Sequence, residues 1–162
     1  MTTTNKRPSW DEYFLEIMDT VGKRVTCDRG RSCALIAKDK QILTTGYAGS
    51  PAGTKHCDEV GHEIHKVISE EGKESSHCIR TVHAEQNAIA QAAKIGTPLL
   101  GSTIYSSMFP CYTCAKIIIS AGITRVVAQN DYHASVRSKE IFKEAGVKFE
   151  IVNNEIKEYK NQ

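Results

Sequence analysis

Two short fragments constrain this 162-residue chain more than any other feature: His83-Ala84-Glu85, and Pro110-Cys111-Tyr112-Thr113-Cys114. Each stands at the start of a helix-forming run, with a strand-like segment between them. A histidine nitrogen and two thiolates are ligands that zinc takes, and a catalytic zinc uses three protein ligands while keeping a fourth position for water. Glu85, left over beside such a centre, is free to carry protons. The run Ala84 to Ile95 (AEQNAIAQAAKI) is rich in alanine, lacks Gly and Pro, and meets Gly96, so it predicts a helix with a glycine just past its end. After Pro110 the run CAKIIISAG is helical up to Gly122, which places both thiols in a first turn. Free backbone N–H groups and the helix dipole favour thiolate there. Residues 102–107 (STIYSS) alternate as a strand does. A strand between two helices, with both helix N-termini pointing at one place, makes a cup for a cation and a flat polar ligand.

The length suits one domain with a single good core. Hydrophobic content of 40% and charged content of 25% are those of an ordinary globular protein. The 21 Lys and Arg barely exceed the 19 Asp and Glu and lie scattered, so nucleic acid is not an expected partner. MTTTNKRPSW at the start has no apolar core, and no later run is long enough to cross a bilayer. The expectation is a cytoplasmic protein with no membrane partner, whose six cysteines are ligands or buried thiols rather than disulfides.

Residues 1–8 read as a flexible tail and 153–162 as a polar one, with a single domain at 9–152. Ser9 and Glu12 fit a capping box, and Phe14, Ile17, Met18, Val21 and Val25 share a face, predicting a helix from about Pro8 to Arg24. A loop from Cys27 to Cys33 leads into a hairpin, with strands at 34–37 and 41–46 and a turn at Asp39. Cys33, beside an apolar strand, reads as core. The glycine-rich GYAGSPAG (Gly46 to Gly53) is either a contact for sugar or phosphate or an ordinary loop.

Residues 54–80 form a polar insert with few core residues, which needs a staple to be ordered. A second, structural zinc fits that need. Cys57 and Cys78 are its obvious ligands, Cys27 reaches in from the earlier loop, and His62 or His65, on a possible helical turn, completes a Cys3His set. The alternative is surface histidines and buried thiols. Further on, 124–129 is a strand, 133–145 a helix ended by Gly146, and 147–152 a last strand. Strands alternating with helices argue an α/β chain whose sheet is partly parallel and joined to the antiparallel first hairpin.

HAE followed by PCxxC is the signature of the cytidine deaminase-like zinc hydrolases. Within them, residues 9–152 resemble the deoxycytidylate (dCMP) deaminases, including those of phages and bacterial competence operons. The resemblance rests on SWDEYF (9–14), GYAGSPAG beside the family's GYNGxPxG, HAEQNAI (83–89), PCYTCAKIIISAGI (110–123) and NDYHAS (130–135). It implies a three-layer α-β-α fold, with a central mixed five-stranded sheet and helices on both faces. It further implies zinc on His83, Cys111 and Cys114, and hydrolysis of dCMP to dUMP and ammonia, supplying dUMP for dTTP synthesis. Glu85 would pass the proton of water to N3 and then to the leaving amine. Tyr47, Gly49, Ala84 and Tyr132 would contact substrate, Tyr132 near the phosphate. The Cys/His insert is similar to the extra zinc site of some members. A homohexamer, dCTP and dTTP effectors, and Mg2+ accompanying a triphosphate complete the family picture. Ala48 stands where the family loop carries Asn, so a sugar or effector contact made by that side chain is lost. Arg31 and Arg137 are candidates to pair a phosphate, but each reads first as an ordinary solvated surface charge.

Two other readings share these residues. A nucleic-acid base deaminase of the tRNA adenosine type has the same zinc chemistry, but a polynucleotide substrate calls for a basic footprint that this charge balance lacks. A non-catalytic zinc- and nucleotide-binding accessory protein has no need of Glu85 beside the metal.

Overall fold

The computed structural model describes residues 6–68 and 74–157. Helix α1 (Trp10–Gly22) starts at a capping box: the Ser9 hydroxyl accepts from the Glu12 amide, and the Glu12 carboxylate accepts from the Ser9 amide at 2.7 Å. Strands β1 (Cys33–Lys38) and β2 (Gln41–Tyr47) form a hairpin. It closes through Asp39 and Lys40, both at positive φ (51° and 64°), the backbone twist that tight hairpins favour. There follow α2 (Cys57–Val60), β3 (Ile64–Ile68), β4 (Glu74–Cys78), α3 (Ala84–Ile95), β5 (Thr103–Met108), α4 (Tyr112–Ser120), β6 (Arg125–Tyr132), α5 (Val136–Glu144) and β7 (Lys148–Lys157).

Five strands make one mixed sheet in the order β2-β1-β5-β6-β7. The β1 pairings with β2 and β5 are antiparallel, and β5/β6 and β6/β7 are parallel. Alternation along the strands divides the core in two. Leu35, Tyr105 and Val127 point to one face, where Phe14, Leu15 and Met18 of α1 cover them. Ile36, Ile104 and Val126 point to the other, under Ala84, Ala88 and Ala92 of α3, Ala115 and Ile118 of α4, and Phe142 of α5. Each fully buried large side chain there contributes about 1.5–3 kcal/mol of transfer free energy. The result is a three-layer α-β-α molecule. No helix among the described residues is long and apolar enough to cross a membrane.

Three boundaries differ from the sequence expectation. The last strand runs to Lys157, so 153–157 belong to the sheet and not to a tail: Asn153 pairs with Asn130, and Ile156 with Asp131 across a register shift. An edge strand is held by backbone bonds on one side only and tolerates polar side chains, so NNEIK carries no apolar pattern to announce it. The fifth helix starts at Val136, because Asp131 organises the preceding turn. In the insert, β3 and β4 pair as a separate antiparallel hairpin, and the helical turn expected to carry His62 and His65 is absent. The remaining tail residues, 1–5 and 158–162, and insert residues 69–73, lie outside the described residues.

Candidate active site

Local sequence aims both halves of the site. His83 is the N-cap of α3 with Glu85 in its first turn, and Cys111 is the N-cap of α4 with Cys114 in its first turn. The strand β5 lies between them, so both N-termini meet beyond its carboxyl end, where ligands of such sheets bind. His83 Nδ1 lies 3.5 Å from Cys111 Sγ and 3.4 Å from Cys114 Sγ. The three ligand atoms lie within 4.8 Å of one another. Glu85 stands beside them, its carboxylate 3.7 Å from Cys114 Sγ and only 4% exposed.

Charge follows from this packing. A hydrogen bond from Cys114, and then the His83 imidazole, bring the Cys111 thiol down to about 4, overcoming its burial. Cys114, sharing that bond and buried, is pushed up. The bond to Cys111 raises His83 to about 9, and burial raises the Glu85 carboxyl. A convergent imidazole and two thiols are a donor set completed by a divalent cation, and zinc fits it.

The backbone holds this arrangement closely. At Gly46 of β2 an added Cβ would meet the Ala84 carbonyl and the Ala88 amide, so only glycine lets β2 approach α3 so near. Thr44 Oγ1 donates to the Ala88 carbonyl at 3.1 Å, and Asn87 Nδ2 to the Tyr47 carbonyl at 3.0 Å. Gly49 pairs with Val82 through backbone bonds of 2.9 and 3.4 Å, just ahead of His83. On the other side, Asp131 accepts from the Tyr132 amide (2.8 Å), the Ser135 hydroxyl (2.8 Å) and Lys139 Nζ (2.6 Å). Burial works against the Asp131 charge, but these donors hold its carboxyl below the usual range.

A cavity of about 430 Å³ opens on the cluster, lined by His83, Glu85 and Cys111. Tyr132, Tyr112 and Phe109 give it aromatic sides, and Ala48 and Ser32 small ones. Of the residues expected to contact substrate, Tyr132 lines the cavity. The glycine-rich loop reaches it at Ala48, while Tyr47 and Gly49 serve the loop's own frame, and Ala84 is wholly buried against β2. Arg31 is exposed, and Arg137 stacks 4.5 Å from the centre of the Tyr112 ring. Sequence reasoning missed Arg29 and His77, both in the lining. Their only signal was adjacency to the candidate ligands Cys27 and Cys78.

A second cluster gathers Cys27, Cys57, His62 and Cys78, again with ligand atoms within 4.8 Å of one another. Cys57 and Cys78 sulfurs lie 3.6 Å apart, and Cys27 Sγ is 3.7 Å from His62 Nδ1. The other His62 nitrogen, Nε2, meets Asp28 Oδ1 at 2.9 Å, the carboxylate–imidazole pairing that orients metal-bound histidines. His65 sits in β3 opposite His77, away from the four. Burial pushes Cys27 up and Cys57 up to about 12; burial also opposes the Cys78 thiolate, but backbone donors at Arg80 and Glu63 together with His62 and Cys57 bring that thiol down to about 7. Cys33 is apart from both clusters, buried between α1 and the sheet.

Residues 8–130 match the family described as cytidine and deoxycytidylate deaminase zinc-binding region. ComE operon protein 2 of Bacillus subtilis (strain 168) is 40% identical over 147 residues, 91% of this chain and 73% of that protein. The deoxycytidylate deaminase of Homo sapiens is 32% identical over 145 residues, 86% of this chain and 78% of its own. The crystal structure of dCMP deaminase from the cyanophage S-TIM5, in complex with dCMP and dUMP, superposes with a TM-score of 0.71 and 26% identity, covering 91% of this chain and 99% of that one. Fold and site together are those of a zinc-dependent deaminase. The chain belongs to the cytidine and deoxycytidylate deaminase family.

Proposed function

We propose that this protein hydrolyses dCMP to dUMP and ammonia, supplying dUMP for dTTP synthesis. The observation that carries the reading is the buried Glu85 carboxylate 3.7 Å from Cys114, inside a cavity of about 430 Å³, a volume in the range that small-molecule ligands occupy. The relative from cyanophage S-TIM5, which holds dCMP and dUMP, supports the choice of nucleotide.

His83, Cys111 and Cys114 would hold the zinc, which when bound supplies an activated water at neutral pH. The residues of the chain do the rest. Glu85, buried beside the three ligands, takes a proton from the attacking water as the carboxylate and delivers it to N3 of cytosine; it then takes the remaining proton of the added hydroxyl and gives it to the departing amine. Tyr132 and the loop of Tyr47 and Gly49, which reaches the cavity through Ala48, hold the sugar and phosphate in this reading. The backbone of Ala84 keeps Glu85 at its depth. Cys27, Cys57, His62 and Cys78 hold a second, structural zinc, supported by the Asp28 contact to His62. We extend the reading, on family resemblance, to a cytoplasmic homohexamer. Control by dCTP or dTTP with Mg2+ would have to do without the side-chain contact that Ala48 removes.

The test is ammonia release from dCMP, dCTP, deoxycytidine and CMP, with zinc counted per chain. Expected are turnover of dCMP and two zincs per chain. A Glu85→Gln variant should keep both zincs and lose about 10²–10⁴-fold in kcat. Zinc-loaded protein inactive on all four compounds would sink the reading.

A further inference from the structure

Among the described residues, the insert hairpin β3–β4 has little apolar core of its own. Every residue of β3 is exposed, and among the described residues neither hydrophobic cluster takes a member from 50–83. Yet this hairpin forms part of the cavity, contributing Val67, Ser76, His77 and Cys78 to the same lining as His83 and Glu85. A wall with so little core of its own needs another anchor.

Two anchors are visible, and both reach the hairpin from the loop that follows α1. The Cys27–Cys57–His62–Cys78 cluster ties that loop to the start of α2, to the entry of β3 and to the end of β4. Arg29, two residues beyond Cys27, donates from its guanidinium to the Ser76 carbonyl at 2.8 Å. Cys27 and Cys78 are at once cluster members and cavity lining, so the cluster cannot rearrange without moving the wall. Cys57 and His62 stand behind them.

We propose that this cluster is a metal latch for the substrate cavity: a thiophilic divalent cation held there sets the position of the β4 wall, and through His77 and Arg29 sets nucleotide affinity. The catalytic cluster keeps its own ligands and metal, and the latch leaves the proton transfers of Glu85 untouched. Arg29 and His77 are thus positioning and specificity residues, while Cys57 acts only through the latch. The inference rests on the nucleotide reading above and goes beyond a staple, which would alter stability and leave affinity unchanged.

The measurement is equilibrium binding of dUMP, with KM and kcat for dCMP and zinc per chain, in wild type, Cys57→Ser and His77→Ala. Cys57→Ser should lose one zinc per chain, keep the catalytic one, and weaken dUMP binding and raise KM by about tenfold with kcat little changed. His77→Ala should weaken dUMP binding with both zincs retained, and it decides the matter if Cys57→Ser does not fold. Loss of the second zinc with unchanged dUMP affinity overturns the latch, as does a His77→Ala protein that binds dUMP like wild type. A zinc-loaded wild type that neither turns over dCMP nor binds dUMP overturns the nucleotide reading and the latch together, whereas the latch failing alone is seen in an active enzyme.

Discussion

The sulfur of Cys114 lies 3.7 Å from Oε2 of Glu85, although twenty-nine residues separate them in the chain. The contact joins the first turns of two helices whose N-termini meet beyond β5, and it places the carboxylate at the cluster without making it one of the three converging ligands. Much else in the molecule holds that meeting point still, and its consequences are measurable.

Gly46→Ala should be costly although it adds one methyl. The new Cβ would meet main-chain atoms of α3, which cannot swing aside as a side chain can. The expected loss is about 1–3 kcal/mol or more. In a domain of this size that lowers the melting temperature by several degrees, about 2–4 °C per kcal/mol. Because α3 carries His83 and Glu85, the displaced helix should also hold the catalytic zinc less tightly. A thermal melt together with a zinc count after dialysis checks both.

Phe142 is fully buried on the helical face of the sheet, edge-on to Phe109 at 5.9 Å between ring centres. Phe142→Ala should destabilise by about 3–5 kcal/mol, the cost of lost transfer energy plus the void. Phe109 lines the cavity, so its loosened ring should also disturb dCMP turnover. Urea unfolding gives the first quantity and steady-state kinetics the second.

Asp11 ties α1 to the sheet. Arg125 Nη1 and Nη2 donate to its two carboxylate oxygens at 2.9 and 2.8 Å, and the Tyr105 hydroxyl donates at 2.7 Å. Chiefly the bond from Arg125 holds its carboxyl below the ordinary 3.8. A depressed folded-state pKa means that the stabilisation is complete above pH 3.8 and is lost as pH falls through the folded value. Asp11→Asn should therefore be less stable than wild type at neutral pH, with the difference closing under acid. Unfolding free energies measured across that range would show parallel curves if the pairing contributes nothing.

Cys33 should be chemically silent. It is 2% exposed, and burial pushes its thiol up to about 11. In the native zinc-loaded protein, iodoacetamide at neutral pH should leave Cys33 unmodified, and peptide mass spectrometry should find it labelled only after unfolding.

What the sequence determined by itself is local. Ser9 and Glu12 write the capping box of α1, the alternation of β1 and β5 sorts their side chains to two faces, and the Ala-rich and Ile-rich runs begin where His83 and Cys111 stand. Each of these depends on neighbours within a few residues, so pattern and residue type suffice. Only the tertiary structure decided what is distant or unpatterned. The β3–β4 pairing, in place of a helical turn, puts His62 beside Cys27 across thirty-five residues and sends His65 elsewhere. Arg29 and His77 enter the cavity because the hairpin folds over it, and no periodicity records that event. The same holds for 153–157, where the sequence NNEIK carries no strand pattern although its backbone pairs with β6. Contacts of this kind depend on closing long loops against conformational entropy, a balance struck by the whole chain and not by any one of its segments.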